Sequence, residues 1–449
     1  MQAWPPDFLS NMSAMLGDDY SEFVKGLILP SPVSIRLNPF KQSQKFDNAV
    51  KVSWCENGRY LEQRPSFIFD PLFHAGCYYV QEASSMFLES VFKQYFSSNE
   101  SLKAIDLCAS PGGKSTHLIS LLPEGSLLVS NEIIPQRNKV LRQNILKWGE
   151  PNVIVTQNEV ADFKSLSGYF DLVLVDAPCS GEGLFRRDPD AAKEWSREAV
   201  QHCAYRQSGI LENAFALLKP GGILIYCTCT FETSENEEQI EKLISTFDAE
   251  LLELHDEYEG IINSGVGLRF YPAYIKGEGF FISAVRKKDG EEIEQNKTKK
   301  INASPAATEQ LRKYIEIPEK FSVIEKDEVV FALPDVILPL FQFMEKKFYV
   351  RQAGIRLGEL KGAVLQPAQE LALSNYCSKN IPIYNFSLED AIRYLRCESV
   401  LCPGASKGWT LAAHEGYSLG WMKVLDNRVN NYFPKEWRVL KEFNFKDQL

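Results

Sequence analysis

Residues 103–118 read KAIDLCASPGGKSTHL: a short apolar run, a Gly-rich turn and the opening of a helix. Working outward, the same alternation continues. SLLVSNEI (126–133) reads as a second strand, PQRNKVLRQNILKWG (135–149) as a helix and PNVIVTQ (151–157) as a third strand. DLVLVDAP (171–178) is a fourth strand, and its unbroken apolar centre suits a parallel strand covered on both faces. A helical segment from about 190 to 218 leads through KPGG to GILIYCTCT (222–230), a fifth strand. Strands alternating with helices predict an α/β, doubly wound parallel sheet whose ligands bind beyond the carboxyl ends of the strands.

The chain has 449 residues, 45% hydrophobic and 24% charged, enough for two or three domains with an ordinary globular core. No stretch approaches the roughly 20 consecutive apolar residues of a membrane span, and the N-terminus lacks the basic-then-apolar order of a signal peptide. The sequence therefore reads as cytoplasmic, with no membrane partner. Ten cysteines are too dilute for a disulfide scaffold and read as core residues, ligands or nucleophiles. A net charge of −10 argues against nonspecific coating of nucleic acid but leaves room for a local basic surface.

Before this α/β region lies a leader with one helix expected around 7–27 and the extended piece SIRLNPF. After FFISAVRK a polar, charged segment (289–307) reads as a linker. Beyond it, short strands in DEVVFAL and KKFYVRQ, a helix at LEDAIRYLR and strands near GWTLAAHEGYSLGWMKVL read as a small, separate β-rich unit.

CASPGGKST fits a phosphate loop at Gly113, Lys114 and Ser115, but Cys108 replaces its first glycine. A nucleoside cofactor suits the turn better. Gly112 and Gly113 would let the backbone approach a ligand, and Glu132, 20 residues beyond Gly112, would accept hydrogen bonds from a ribose diol. Two more strand ends carry Asp176 with Cys179, and Cys227 with Cys229. Cys227 reads as a core residue beside Ile225 and Tyr226. Zinc on Cys179, Cys227 and Cys229 is a poor match to structural spacing, so no metal is expected. Thiols beside a carboxylate and a nucleoside cofactor suit pyrimidine methylation. A thiolate adding to ring carbon 6 makes carbon 5 nucleophilic, and a carboxylate near ring nitrogen 3 stabilises the protonated ring.

DLCASPGGKSTHL, NEIIPQRNKVLRQNILKWG, DLVLVDAPCSGEGLFRRDP, LLKPGGILIYCTCTFETSENEE and GLRFYPAYIKGEGFFISAVRK together resemble the ordered motifs of the Sun/Nop family of RNA 5-methylcytosine methyltransferases. Within it, the chain is most similar to the bacterial RsmF type, which acts on 16S ribosomal RNA. The resemblance implies a Rossmann-like S-adenosylmethionine-dependent catalytic domain (71–288) after an N-terminal RNA-binding domain (1–70). It also implies an accessory region (308–375) and a PUA-like RNA-binding domain (376–449) after the linker.

It further implies S-adenosylmethionine held by Cys108, Ala109, Ser110, Pro111, Gly112, Gly113 and Lys114, with Arg137 nearby and Glu132 on the ribose. Glu159, or else Asp162, would read the adenine. Asp176 would lie near the methionine end and the target base, Cys229 would be the nucleophile, and Cys179 would assist product release. The implied partner is 16S rRNA or the small ribosomal subunit, with no obligate protein partner. Arg186, Arg187 and Lys193 are the candidate RNA contacts, with Arg197, Lys276, Arg286, Lys287, Lys288, Arg351, Arg356 and Lys361 as further basic positions. A tRNA cytosine-5 methyltransferase and a catalytically silent ribosome-assembly protein remain the alternatives.

Overall fold

In the computed structural model, residues 4–96, 98–255, 257–293, 303–362 and 364–443 are described. Residues 294–302 of the expected linker lie outside them.

A ten-stranded sheet organises the molecule. Lys103–Asp106 lies at its centre, parallel to Leu127–Asn131 on one side and to Phe170–Asp176 on the other. Val153–Thr156 and Leu218–Thr228 extend the parallel set outward. Phe280–Lys287 then adds antiparallel to Leu218–Thr228, with Leu268–Phe270 and Ile261–Asn263 beyond it. Successive strands run outward in one direction up to Val153–Thr156, and the chain then returns to the other side of Lys103–Asp106. The reversal opens a crevice between Leu107 and Ala177, where such sheets bind ligands.

Both faces are covered, which explains the unbroken apolar runs. Ala104, Leu128, Val155, Leu174 and Ile225 pack in one core cluster with the helix Gly113–Leu121, while Ile105, Val129, Val173 and Leu224 pack in the other against the helix Arg197–Leu217. Alternate residues of one strand thus serve opposite cores. Cys227 is fully buried in the first cluster, as its apolar neighbours implied.

Several boundaries differ from the sequence reading. The helix expected around 7–27 is two, Pro6–Leu16 and Tyr20–Ile28, because Gly17 stops the first with φ 55. The segment expected from 190 to 218 is also two, Pro189–Glu194 and Arg197–Leu217, and the Ser196 side chain caps the second through Ala199 N at 3.1 Å. The N-terminal sheet does not end at residue 70: Tyr78–Val80 pairs with Val33–Leu37 as its fourth strand. Within KKFYVRQ the strand is Val350–Ala353, and it does not belong to a separate unit. It pairs with Val153–Thr156 and covers the edge of the large sheet, which would otherwise present unpaired backbone groups. Two further four-stranded sheets follow in the C-terminal region, the second containing Gly408–His414 and Tyr417–Val424.

The N-terminal helices are packed on the site itself. Phe8 lies edge-on to Phe185 with ring centroids 5.0 Å apart, and Phe23 meets Phe231 at 5.3 Å. Asn11 donates to the Glu232 carboxylate at 2.8 Å. Phe185 and Phe231 follow the two cysteine-bearing loops, so the leader buttresses both.

Candidate active site

The crevice holds a cavity of about 620 Å3, within the range of sites for small organic cofactors. One wall comes from the turn after Lys103–Asp106, through Cys108, Ser110 and Pro111. Glu132 and Arg137 come from the next strand end and helix, and Asn158 and Glu159 from the one after. Asp176, Cys179 and Cys229 close the opposite end. A larger cavity, about 870 Å3, opens at the seam between the N-terminal sheet and the helix Gly113–Leu121; it is lined by Arg36, Arg59 and Lys93 and contains none of these thiols.

The turn is braced before anything binds. Ser110 Oγ donates to Arg137 O at 3.0 Å, and an Arg137 Nη donates back to Ser110 O at 2.9 Å. Gly112 has φ 111, and a Cβ there would meet Leu141 Cδ1 at 3.3 Å. Neither Gly112 nor Gly113 lines the cavity; Gly112 serves the left-handed turn, and a Cβ at Gly113 would meet Tyr79 Cε1 at 3.3 Å. Ala109 and Lys114 are likewise outside the lining. The Lys114 ammonium instead pairs with Asp176 Oδ1 at 2.8 Å; burial lowers its pKa, but Asp176 and the other groups around it together hold it above the usual value.

Glu132 is buried at the cavity wall. Its Oε1 accepts from Ile134 N at 2.9 Å, while Oε2 faces Arg137 Nε at 3.6 Å, beyond ordinary hydrogen-bond length. That leaves acceptor capacity for a diol. Asn131 is structural: its amide binds Leu107 O and Asn158 O, and its Oδ1 accepts from Asn158 N and Thr156 Oγ1, tying three strand ends together. Glu159 lines the cavity; Asp162 does not, because its Oδ2 is taken by Glu159 N at 3.1 Å and Asn158 Nδ2 at 3.2 Å.

At the far end Cys179 Sγ lies 3.3 Å from Cys229 Sγ. The hydrogen bond to Cys229 and burial push the Cys179 thiol well up, so Cys179 keeps its proton. Asp176 and Cys227 are register partners across adjacent strands, and Ala177 N donates to Cys227 O at 2.9 Å. The carboxylate is therefore fixed relative to the strand that delivers Cys229.

The three candidate RNA contacts each have a partner within the chain. Arg186 is not free for phosphate: its guanidinium donates to Leu29 O (2.8 Å), Pro30 O (2.7 Å) and Gly277 O (2.8 Å), fastening the leader to the catalytic domain. Arg187 pairs with Glu278 at 3.2 Å and Lys193 with Asp190 at 2.7 Å. Nearby acids likewise occupy Arg197, Arg286, Lys288 and Arg356. Sequence reasoning missed Arg206, which lines the cavity from the helix Arg197–Leu217 together with Gly209, Ile210 and Asn213. The guanidinium of Arg206 forms no hydrogen bond or ion pair among the described residues. The i, i+3, i+4, i+7 spacing of these four was the available signal.

Among the described residues, the one group of at least three potential metal ligands within 4.8 Å is Cys55, Glu89 and His117. It lies at the N-terminal seam, and Glu89 already accepts from Lys93 (2.6 Å), Glu56 N (3.1 Å) and His117 (3.1 Å). The cysteines of the crevice form no such group.

Three family models match in order: the N-terminal domain of 16S rRNA methyltransferase RsmF over residues 4–83, 16S rRNA methyltransferase RsmB/F over 94–286, and the methyltransferase RsmF PUA domain over 382–439. The ribosomal RNA small subunit methyltransferase F of Vibrio parahaemolyticus is 32% identical over 476 aligned positions, covering 96% of this chain and 97% of the relative. That of Aeromonas hydrophila is 30% identical over 463, with the same coverage. Among solved structures, a methyltransferase homologue from Pyrococcus horikoshii superimposes with a TM-score of 0.52 at 27% identity, covering 63% of this chain and 99% of the other. NSun6 from the same organism shares the fold, with a TM-score of 0.55 at 21% identity over 64% of this chain and all of the other. With the sheet, the crevice and the paired thiols in place, a relative matched along nearly its whole length decides the assignment: the chain belongs to the RsmF family of 16S rRNA methyltransferases.

Proposed function

We propose that this protein methylates carbon 5 of cytosine in 16S ribosomal RNA, with S-adenosylmethionine as donor and Cys229 as nucleophile. The approach of Cys179 and Cys229 to 3.3 Å beside Asp176, at one end of a cofactor-sized cavity, carries the reading. The residues present fit this cofactor: Glu132 has a carboxylate oxygen it could offer the ribose, Glu159 would meet the adenine, and Asp176 would lie toward the methionine end. When bound, S-adenosylmethionine supplies an electrophilic methyl group.

The remaining chemistry belongs to the chain. The Cys229 thiolate adds to carbon 6, forming a C–S bond and pushing an electron pair into the ring. Asp176, held by Lys114, stabilises the proton at nitrogen 3, so carbon 5 becomes an enamine carbon able to accept a methyl group. Loss of the carbon 5 proton to a base then breaks the C–S bond and returns Cys229. The protonated Cys179, 3.3 Å from the Cys229 sulfur, is placed to donate a hydrogen bond to it as it leaves. The target base must leave its stack, at a cost of a few kcal/mol. Arg206, which lines the cavity and has no ion-pair partner among the described residues, is suited to hold a phosphate of the extruded nucleotide.

The test is transfer of labelled methyl to naked 16S rRNA, small subunits and tRNA in parallel, with the labelled nucleoside identified. Label in 5-methylcytosine of ribosomal RNA supports the reading, and the better of the two ribosomal substrates identifies the partner. Label in tRNA alone overturns the substrate, and none anywhere, from protein that binds the cofactor, favours a silent assembly factor.

A further inference from the structure

Two buried carboxylates fasten the cysteine loops to each other from opposite directions. Glu182, three residues after Cys179, is fully buried; its Oε2 accepts from Phe231 N at 2.9 Å and Thr230 Oγ1 at 3.1 Å, the two residues that follow Cys229. Its Oε1 accepts from Trp195 Nε1 at 2.9 Å. Glu235, also fully buried and six residues after Cys229, reaches back the other way. Its Oε2 accepts from Ser180 N at 3.0 Å and Gln207 Nε2 at 2.8 Å, and its Oε1 accepts from the Ser180 hydroxyl, next to Cys179.

Backbone contact completes the clasp. Gly183 N donates to Cys229 O at 2.8 Å, and a Cβ at Gly183 would sit 2.9 Å from that oxygen, so the close approach requires glycine. Burying two carboxylates this close together is costly: burial and neighbouring acids raise the Glu182 pKa well above its usual range, and burial raises that of Glu235. Neither carboxylate lines the cavity, so neither is placed to touch the reacting base. What they do hold is the backbone on either side of the two sulfurs. A reacting group misplaced by about 1 Å can lose on the order of 100-fold in rate.

We infer that Glu182 and Glu235 are positioning residues with separate tasks, Glu182 holding the Cys229 loop for attack and Glu235 holding the Cys179 loop for release. The inference rests on the thiol roles proposed above. It predicts opposite kinetic signatures from two buried groups only one clasp apart, which a general loss of packing would not produce.

The experiment compares Glu182→Gln and Glu235→Gln with the wild-type chain on 16S rRNA. It measures single-turnover formation of the protein–RNA adduct, the steady-state fraction of RNA trapped covalently on denaturing gels, and Tm. Gln keeps the size but replaces one acceptor oxygen with a donor that opposes the N–H groups now bound. Glu235→Gln is expected to form the adduct within threefold of the wild-type rate and to trap at least tenfold more RNA. Glu182→Gln is expected to form it at least tenfold more slowly, with no accumulation. Should either fail to fold, Ser180→Ala, which removes the hydroxyl bonded to Glu235 Oε1 and Thr230 Oγ1, and Trp195→Phe, which removes the indole N–H bonded to Glu182 Oε1, carry the same two expectations. Equal slowing of both steps in both variants, or unchanged kinetics, overturns the inference. A wild-type chain that forms neither adduct nor 5-methylcytosine instead overturns the function on which it rests.

Discussion

Cys179 and Cys229 lie 50 residues apart in sequence, yet their sulfurs are 3.3 Å apart at the ends of adjacent parallel strands. The short separation lets one thiol donate a hydrogen bond to the other.

Replacing the thiols separately should therefore divide the reaction. Cys229→Ala is expected to abolish 5-methylcytosine formation while cofactor affinity stays within about threefold, since only one wall atom of the cavity is lost. Cys179→Ala should leave RNA covalently attached to Cys229. Gel shift under denaturing conditions and cofactor titration check both, and an active Cys229→Ala protein would refute the assignment of the nucleophile.

The acids after the strands Leu127–Asn131 and Val153–Thr156 are separable in the same way. Glu132→Ala should weaken cofactor binding by roughly 10- to 100-fold, the value of one or two hydrogen bonds to a charged group. Glu159→Ala should weaken it as well. Asp162→Ala should instead leave affinity nearly unchanged and cost about 1 kcal/mol of stability, because its carboxylate caps Glu159 N. Calorimetric titration would reveal the reverse order if Asp162 were the adenine reader.

Arg36 joins the N-terminal sheet to the catalytic helix. Its guanidinium is buried over the Trp148 ring at 4.4 Å and donates to Gln81 Oε1 at 2.9 Å, Gly113 O at 3.1 Å and Thr116 Oγ1. Arg36→Ala should cost about 3 kcal/mol, since it strands three acceptors and removes the stacked plane. A urea midpoint equal to wild type would show that the seam does not depend on it.

Asp106 gives a pH signature. Burial pushes its carboxyl up to about 7, with Oδ2 bound to Ser115 Oγ at 2.7 Å and Oδ1 without a partner. The folded chain holds this proton between about pH 4 and 7 while the unfolded chain has released it, so ionisation favours unfolding as pH rises through that window. Asp106→Asn removes the term. Its stability relative to wild type should grow from pH 4 to 7 and level off above; a constant difference would contradict the buried-acid reading. The comparison is made against wild type because His74 and His117, both pushed down to about 4 by burial, act with the opposite sign, losing stability as pH falls.

The sequence by itself determined the sheet and its order of elements, because apolar runs of strand length and Gly-marked turns have few other solutions. It placed Cys108, Glu132, Asp176, Cys179 and Cys229 at strand ends, and a parallel sheet brings its carboxyl ends to one side; all five line the crevice. What it could not give was the partner of each charge. Lys114 turned to Asp176 and Arg186 to three carbonyls of other segments, while Arg206 was left open at the rim, since a pairing depends on what other chain segments bring within about 3 Å. Nor could it show that Val350–Ala353 leaves the C-terminal region to complete the catalytic sheet. Hydrogen bonding along an exposed sheet edge is indifferent to sequence separation, so only the tertiary fold decides which strand fills it.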